Sequence, residues 1–237
     1  MTNTQSNQGK KEQVRSMFND IAYRYDFLNH FLSAGIDIQW RKKARKYLAP
    51  FHPKQILDVA TGTGDLAIEL TKLHPERIVG VDIAVEMLDI GRDKLRKKKL
   101  DKLIELQTGD SENLQFKDET FDAVTVAFGV RNYEDLHKGL KGMCRVMKTG
   151  GHVAILEFSK PKKFPFRQIY NGYFKYILPG FGKLISKNNE AYTYLPESVQ
   201  KFAEDEVFLK EIEKAGYKKP EQKRLTFGIA TLYVATK

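Results

Sequence analysis

The most constraining feature of this 237-residue sequence is an alternation of short apolar segments with amphipathic segments, which begins at Gln55. The apolar segments have the length of buried strands, and the amphipathic ones carry apolar residues at helical spacing. Strands joined through helices run parallel, so the sequence predicts a mainly parallel sheet with helices on both faces. The predicted strands are residues 55–59, 78–81, 104–108, 121–127 and 153–158, and the predicted helices are 65–73, 84–99 and 135–147.

The chain before Gln55 lacks any strand-like run. Residues 1–11 carry no periodic pattern and are expected to fray. The spacing of apolar residues after them predicts short helices, at 13–19, 26–32 and 37–48.

Regular alternation stops after residue 158. The next segment, 160–196, is rich in proline and aromatic residues and has helical pieces near 168–177. Beyond it the sequence predicts one more helix and two strands that are separated by Gly228 alone. So short a connection cannot be a crossover, and the two strands are therefore antiparallel. These last elements are the helix 204–215 and the strands 223–227 and 229–235.

The net charge of the chain does not by itself identify a partner. The 40 Lys and Arg residues exceed the 30 Asp and Glu residues, which suits nucleic acid, an anionic membrane surface or an acidic small molecule.

No run approaches the roughly 18 apolar residues of a membrane-spanning helix, and the chain starts with polar residues, so a cytoplasmic protein is expected. The single cysteine, Cys144, excludes an internal disulfide and a Cys-based zinc site, and no metal site is predicted.

The first predicted strand leads into a glycine loop. Gly62 and Gly64 allow a sharp turn and let a ligand approach main-chain N–H groups at the start of the following helix. This arrangement is typical of nucleotide-like ligands. Gly62, Gly64 and Ala67 also satisfy the loose dinucleotide pattern, with Asp82 where an acid that binds ribose is expected, so a nicotinamide-dependent oxidoreductase is one alternative.

Two carboxylates argue against a dinucleotide. Asp58 lies inside the first strand, where burial of its charge is costly without a cationic partner. Asp65 places negative charge where a pyrophosphate would sit, although it could equally be the N-cap of the helix. S-adenosylmethionine has no phosphate and carries an ammonium and a sulfonium group. It therefore fits this loop better.

Other loops at the carboxyl ends of the strands match the same ligand. Asp82 offers two acceptor oxygens to two ribose hydroxyls. Asp110 and Ser111 could recognise an adenine through a carboxylate and a main-chain N–H, although Asp110 could instead only start a turn. The loop of residues 127–133 would lie beneath the reactive methyl group.

Three segments resemble signatures of one family, the ubiquinone/menaquinone biosynthesis C-methyltransferases, and residues 55–158 resemble the core of class I S-adenosylmethionine-dependent methyltransferases. Four positions depart from these patterns: Asp37 stands where His is usual, Thr149 where Pro is usual, Ala60 where many methyltransferases have Gly, and Ala127 where some members use Ser. The three segments are residues 25–33 extending to Trp40, 128–132, and 145–151 extending to Ser159.

The resemblance implies an α/β fold with a Rossmann-like seven-stranded mainly parallel sheet, an antiparallel last strand, N-terminal helices and a helical insertion after strand five. It implies methylation of a ring carbon of demethylmenaquinol to menaquinol, or alternatively of a ubiquinone precursor, 2-methoxy-6-polyprenyl-1,4-benzoquinol. S-adenosylmethionine contacts are implied at Thr63, Asp82, Asp110 and Ser111, supported by Asp58 and Gly62.

On this basis residues 1–237 form a single methyltransferase domain. Its expected parts are an N-terminal helical cap (1–50), a cofactor-binding core (51–159), a substrate lid (160–203) and a C-terminal helix with antiparallel strands (204–237).

Arg131 is the predicted catalytic residue. A ring carbon attacks a methyl group only if the neighbouring hydroxyl loses its proton, and a phenol-like pKa of about 10 opposes this at neutral pH. A fixed guanidinium can stabilise the oxyanion directly or through a water, but Arg131 could instead pair with a surface acid. The aromatic side chains of 160–196 would form a wall for an apolar, prenylated substrate: Phe164, Phe166, Tyr170, Tyr173, Phe174, Tyr176, Phe181, Tyr192 and Tyr194.

The helix at 40–48 carries Trp40 on one side and basic residues elsewhere, including Arg41 and Arg45. It could hold the protein peripherally on an anionic membrane surface, or it could be a core-packed helix with a solvated face. A homo-oligomer is left open. Nucleic-acid methylation is not expected, because the Asn/Asp-Pro-Pro-aromatic motif usual for base methylation is absent after strand four. A protein that only senses S-adenosylmethionine would not need Arg131.

Overall fold

Seven strands form one sheet in the computed structural model, which describes residues 9–33, 35–173, 176 and 190–237, without side-chain detail at 27–32 and 190–193. The strands are β1 (Gln55–Val59), β2 (Arg77–Asp82), β3 (Ile104–Thr108), β4 (Phe121–Ala127), β5 (Met147–Phe158), β6 (Lys218–Leu225) and β7 (Ala230–Thr236).

The strand order is β3-β2-β1-β4-β5-β7-β6. The first five strands pair in parallel, and β7 runs antiparallel to both β5 and β6. The predicted α/β fold with a mainly parallel sheet and an antiparallel last strand is confirmed. The order reverses direction beside β1 and β4, and that switch point is where open α/β sheets bind ligands.

Eight helices pack around this sheet in the described part of the chain. They are α1 (Lys10–Leu32), α2 (Ile36–Leu48), α3 (Asp65–Leu70), α4 (Val85–Lys98), α5 (Leu136–Val146), α6 (Phe166–Gly172), α7 (Glu190–Lys201) and α8 (Glu206–Lys214).

The core has two main layers because successive strand residues point to opposite faces. In β1, Leu57 belongs to the apolar cluster that includes side chains of α5 and α8. Its neighbour Ile56 belongs to the cluster that includes side chains of α2, α3 and α4. Cys144 of α5 is free and buried in the first cluster, as a small apolar residue would be.

The prediction of two separate helices near the N-terminus was wrong. One helix, Lys10–Leu32, replaces the two predicted at 13–19 and 26–32, and Lys10 and Lys11 are helical rather than frayed. No Gly or Pro interrupts residues 20–25, and Ala22 packs with Met87 against the sheet domain. Tertiary contacts of this kind stabilise a helix beyond its local propensity. Residues 1–8, whose fraying was also predicted, lie outside the described residues.

Gly150 and Gly151 lie inside a strand that begins earlier than the predicted residue 153. Strand β5 begins at Met147 and runs through both glycines. Gly150 has φ +79°, and a Cβ on Gly151 would approach the carbonyl oxygens of Asp122 and Lys148 to 2.8 Å. The pair therefore forms an irregularity inside the strand, where its register with β4 shifts.

The C-terminal strands are confirmed as antiparallel, but their connection is longer than predicted. A short 3₁₀ turn, Thr226–Gly228, joins β6 to β7 instead of Gly228 alone. Strand β6 also starts earlier than predicted, at Lys218.

The segment rich in aromatic residues contributes α6 and α7. Helix α7 contains Pro196 and was not predicted. Residues 174–175 and 177–189, which include Phe174 and Phe181, lie outside the described residues, as does the side chain of Tyr192. Among the helices that are described, none is long and apolar enough to cross a membrane.

Candidate active site

The glycine loop connects β1 to α3 at the carboxyl edge of the sheet. Gly62 and Gly64 both have positive φ, at +57° and +80°, which glycine adopts without steric cost. A Cβ on Gly62 would lie 3.3 Å from Cε of Met87 and 4.0 Å from the Tyr25 ring. Gly62 thus presents bare backbone to a narrow space under α1.

Asp82 ties this loop to the end of β2. Its Oδ2 accepts a hydrogen bond from the Gly62 N–H at 2.8 Å, and its Oδ1 accepts one from the Ala84 N–H at 2.9 Å. Burial raises the pKa of Asp82, and these N–H donors oppose the rise. Each oxygen retains a second lone pair, so the carboxylate can still accept two hydroxyl groups.

Two adjoining clefts lie along this edge. The larger encloses about 640 Å³, part of it open to solvent. Of the predicted cofactor residues, Gly62, Asp82, Asp110 and Ser111 line the larger cleft, and Asp58, Gly62 and Thr63 line the smaller. Both clefts also share side chains of Tyr25, Ala60, Ala127 and Phe128. The structure therefore brings all six predicted cofactor residues into one groove.

Asp58 is buried in that groove. The hydroxyl groups of Thr61 and Thr125 donate to its two oxygens at 2.7 and 2.6 Å. Burial raises the pKa of Asp58 to about 6, and these hydrogen bonds hold it down in part. Among the described residues no Lys or Arg forms an ion pair with it. The carboxylate is thus solvated by hydroxyls and can take a cationic group of a ligand.

Helix α1 crosses the groove and is fastened at both ends. Near its C-terminal end, Asp26 accepts a hydrogen bond from the Thr63 hydroxyl at 2.5 Å and pairs with Lys94 at 2.6 Å. Near its start, the Lys11 ammonium pairs with Asp110 at 2.8 Å. Between these points Val14, Phe18 and Tyr25 line the larger cleft.

Lys11 was missed by the sequence analysis, because the segment was expected to fray. Its contact with Asp110 raises the pKa of Lys11. Asp110 also accepts from the Glu112 N–H at 2.8 Å, so it starts a turn as well as lining the groove. Glu112, which was also missed, is buried and accepts from the main-chain N–H groups of Glu134 and Asp135 at 3.0 and 3.1 Å.

Asp65 does not cap α3. The N-cap is Gly64, and no side chain caps this helix end. Instead the Asp65 carboxylate pairs with Lys94 at 2.6 Å and with Arg41 at 3.2 Å. These two cations come from α4 and α2, so no local pattern around Asp65 could have predicted them.

Helix α2 packs on the core with one side, and Lys43 and Lys46 on its solvated side are exposed. Binding of this helix to a membrane stays a prediction. Trp40 is buried, and Arg41 is 7% exposed with Asp37 as its partner at 2.5 Å. Arg45 pairs with Glu69 at 2.8 Å. Asp37, at the position where His is usual in the family that the sequence resembles, is thereby compensated by a neighbouring arginine.

Arg131 lies in the short 3₁₀ helix after β4, and its side chain is almost fully buried. Its Nη1 donates to Oε1 of Glu157 at 2.8 Å and to the Phe128 carbonyl oxygen. Its Nε donates to the Ser198 hydroxyl at 3.2 Å, and the guanidinium lies 5.4 Å from the centre of the Phe158 ring. The alternative that Arg131 pairs with a surface acid is wrong, because its partner Glu157 is wholly buried.

The wall around Arg131 is aromatic. Trp40, Phe128 and Phe158 contact one another, with the Phe128 and Phe158 rings stacked 4.4 Å apart. Tyr194 of α7 donates its hydroxyl to Asn132 at 2.9 Å. Burial raises the pKa of Tyr170 and of Tyr194, and the charge of Arg131 opposes both rises.

This edge of the sheet has two chemically distinct ends: the two clefts, and the side chains around Arg131, which lines neither cleft but donates to the main chain of Phe128, a residue of both. One end offers acids and bare backbone, which suits a ligand with hydroxyl, ammonium and sulfonium groups. The other offers a buried cation held in place by an acid and surrounded by flat apolar side chains, which suits an apolar ring with a developing negative charge.

A model of the ubiE/COQ5 methyltransferase family matches residues 4–237. The chain is 52% identical over 234 residues to a demethylmenaquinone methyltransferase of Bacteroides fragilis, covering 98% of this chain and 96% of the relative. It is 44% identical over 230 residues to a demethylmenaquinone methyltransferase of Porphyromonas gingivalis, covering 96% and 94%.

Among solved structures, an S-adenosylmethionine-dependent methyltransferase from Thermotoga maritima has a TM-score of 0.65 at 19% identity, covering 94% of this chain and 99% of that chain. The [4+2]-cyclase SpnF has a TM-score of 0.68 at 14% identity, covering 96% of both chains. At this identity the likeness concerns the fold alone, and the cyclase shows that the fold does not fix the reaction.

Proposed function

The chain belongs to the ubiE/COQ5 methyltransferase family, and on that premise we propose that it transfers a methyl group to a ring carbon of demethylmenaquinol, giving menaquinol. It is an S-adenosylmethionine-dependent enzyme, and the resemblance that the sequence suggested is confirmed. The observation that carries the substrate is the 52% identity to a demethylmenaquinone methyltransferase over nearly the whole chain.

We propose that Asp82, Asp110 and Ser111 hold the adenosine half of the cofactor. The free lone pairs of Asp82 suit the two ribose hydroxyls, and the turn at Asp110 supplies a carboxylate beside main-chain N–H groups. Lys11 shares the Asp110 carboxylate and helps to fix its orientation.

The methionine half belongs, in this proposal, beside Asp58, Gly62 and Thr63. Asp58 would compensate the ammonium group, which explains why so buried a carboxylate has hydroxyl partners and no internal cation among the described residues. Thr63 acts indirectly, since its hydroxyl is used to hold Asp26 of α1 over the groove. When bound, S-adenosylmethionine supplies an electrophilic methyl group on a sulfonium.

Arg131 is the proposed catalytic residue. Its Nη2 has no hydrogen-bond partner among the described residues, so it can donate to the oxygen of the quinol ring as that oxygen loses its proton. Glu157 is a positioning residue, because it fixes the guanidinium through both Nη1 and the Arg131 main-chain N–H. A donor that is held in place before the reaction stabilises the oxyanion without reorganising.

The residues around Arg131 would bind the ring and exclude water. We propose Phe128, Phe158 and Tyr194 as the nearest part of this wall, with the cap (1–50) and the insertion (160–203) enclosing the substrate. Exclusion of water strengthens the interaction between a fixed guanidinium and an oxyanion.

The test is incubation with labelled S-adenosylmethionine and three acceptors in parallel: short-tailed demethylmenaquinol, a short-tailed ubiquinone precursor and tRNA. Label in the ring carbon of demethylmenaquinol supports the proposal. Label only in the ubiquinone precursor would favour that weaker alternative, and label only in tRNA would overturn both. Membership of a methyltransferase family already removes the nicotinamide interpretation of the glycine loop.

We also propose a peripheral position at the inner, cytoplasmic face of an anionic membrane, where a prenylated quinol is found. The excess of basic residues supports this. A homo-oligomer remains a prediction that size-exclusion chromatography with light scattering would test.

A further inference from the structure

One stretch of the chain has an unusual composition that the proposed reaction does not explain. The 32 residues between Glu157 and Glu190 contain seven of the 40 basic residues of the protein and none of its 30 acidic residues. The same stretch contains eight aromatic residues. Lys and Arg mixed with aromatic and aliphatic residues are typical of segments that bind the surface of an anionic bilayer.

Three large apolar side chains in the described part of this stretch are exposed. Helical spacing places Phe166 and Ile169 on one stripe of α6, and Tyr173 and Tyr176 continue the same spacing in the sequence. Ile169 is 64% exposed and Tyr176 71% exposed, and Phe164, just before the helix, is 79% exposed. Large apolar side chains grouped in this way mark a contact surface.

A second element extends the stripe. Phe227, in the turn between β6 and β7, stacks on Phe166 with the ring centres 3.7 Å apart. Phe227 is 66% exposed and has φ +57°, a conformation that is costly for a bulky residue. The adjacent Thr226 accepts a hydrogen bond from the Trp40 indole at 2.8 Å, which fixes the turn. The fold thus holds an aromatic side chain outward at some conformational cost.

Two cations beside the stripe have no internal partner. Lys163 and Arg167 are exposed and form no ion pair in the part of the chain that the structure describes. By contrast, Lys162 of the same segment pairs with Asp205. The stripe is therefore flanked by charge that is free to meet an anionic surface.

The other side of α6 faces the proposed active site. Tyr170, one residue after Ile169, is buried and lies close enough to Arg131 for that charge to affect its pKa. A single helix therefore separates the exposed stripe from the residues proposed to bind the quinol ring. A prenyl tail leaving that site along α6 would emerge at the stripe.

We propose that this surface, formed by Phe164, the α6 stripe and Phe227 with Lys163 and Arg167, docks the protein on an anionic lipid bilayer. The helix at 40–48 is the less suitable surface, because Trp40 is buried and Arg41 and Arg45 pair with acids, which leaves only lysines such as Lys43 and Lys46 exposed there. The reason for docking rests on the proposed function, but the surface itself is tested without any reaction.

The experiment is co-sedimentation of the full chain with vesicles of phosphatidylcholine and phosphatidylglycerol, compared with vesicles of phosphatidylcholine alone. The charge variant is Lys163→Glu/Arg167→Glu, and its matched control is Lys43→Glu/Lys46→Glu on α2, where both lysines are also exposed. The apolar variant is Ile169→Gln/Phe227→Asn, since Asn tolerates positive φ, and its control is Val207→Ser on α8.

We expect the wild type to prefer the anionic vesicles, and we expect both surface variants to lower the partition coefficient by about tenfold or more. Both controls should stay within about twofold. Equal thermal melting curves exclude unfolding of the variants.

Three results would overturn the proposal: no preference of the wild type for anionic vesicles, an equal loss in the α2 control, or a dimer that the apolar variant dissociates while vesicles bind nothing. Methyl transfer to a water-dispersed, short-tailed demethylmenaquinol is measured in parallel with vesicle binding. Vesicle binding without that transfer would overturn the proposed function and leave this surface standing.

Discussion

Asp58, which lines the smaller cleft, and Arg131, which lines neither cleft and contacts Phe128 of both, are two buried charges that are compensated in opposite ways. Asp58 is solvated by two threonine hydroxyls and has no cation among its described partners. Arg131 is paired at 2.8 Å with a carboxylate that is itself wholly buried. In our proposal, the cofactor end leaves a charge for its ligand, whereas the substrate end is neutral overall and acts through the direction of one N–H group.

The largest effect should come from Arg131→Ala. We expect turnover to fall by about a thousandfold, as for loss of an oxyanion donor. Stability should also fall, by about 3–5 kcal/mol, because Glu157 is left as an unpaired buried charge. Single-turnover kinetics and urea denaturation measure the two effects.

The double variant Arg131→Ala/Glu157→Ala separates these two effects. Removing both charges should restore part of the stability and none of the turnover. Turnover that recovers together with stability would show that Arg131 has only a structural role.

Asp58 should make the stability depend on pH in the unusual direction for a carboxyl group. Its pKa is raised to about 6, so between about pH 4 and pH 6 the folded protein binds more protons than the unfolded chain. The free energy of unfolding should therefore fall by up to about 3 kcal/mol as the pH rises through this window. Urea denaturation of the wild type and of Asp58→Asn measures it, and the asparagine variant should lack this contribution.

The affinity for S-adenosylmethionine should depend on pH in the opposite sense, again because of Asp58. Above pH 6 the ionised Asp58 can meet the cationic end of the cofactor, and loss of a charged hydrogen bond typically costs about 10- to 100-fold in affinity. We therefore expect Asp58→Asn to bind S-adenosylmethionine that much more weakly at pH 8. Calorimetry across pH 5–8 should show the wild-type affinity falling below pH 6 and the variant affinity unchanged.

Glu157→Gln sharpens the other half of the comparison. It keeps an acceptor for Arg131 but removes the compensating charge and the tight ion pair. If orientation of the guanidinium matters, kcat should fall by about tenfold with little change in KM. A rise in kcat would instead show that the net positive charge at this end drives the reaction.

The smallest effect is expected at Lys11. Its ion pair with Asp110 is partly exposed, and pairs of this kind contribute about 0–1 kcal/mol. Lys11→Ala should weaken cofactor binding by less than about fivefold, and high salt should reduce the difference. A loss as large as that of Asp58→Asn would make α1 a principal part of the cofactor site.

Part of the site could be predicted from the sequence. Asp58 lies in the first predicted strand, ahead of the glycine loop, and Asp82 directly follows the second. Parallel strands bring their carboxyl ends to one edge of the sheet, so local pattern and topology were enough to place both residues in the site. The three strands 55–59, 104–108 and 121–127 were predicted to the residue for a related reason: their apolar runs are bounded by charge and turns.

Partners that come from distant elements could not be predicted in this way. Glu157 lies in β5, 26 residues after Arg131, and Lys94 reaches Asp65 from α4, 29 residues away. Lys11 lies 99 residues before Asp110, in a segment without visible periodicity. Such pairs depend on how helices pack on the sheet, which no spacing within one segment encodes.

Calorimetry separates the proposed role of Asp58 in cofactor binding from the proposed role of Arg131 in catalysis. Binding of S-adenosylmethionine to Asp58→Asn and to Arg131→Ala would be measured side by side at pH 8, with the wild type as reference. We expect an affinity loss of about 10- to 100-fold for Asp58→Asn and an affinity within about twofold of the wild type for Arg131→Ala. Equal losses in the two variants would contradict this expectation.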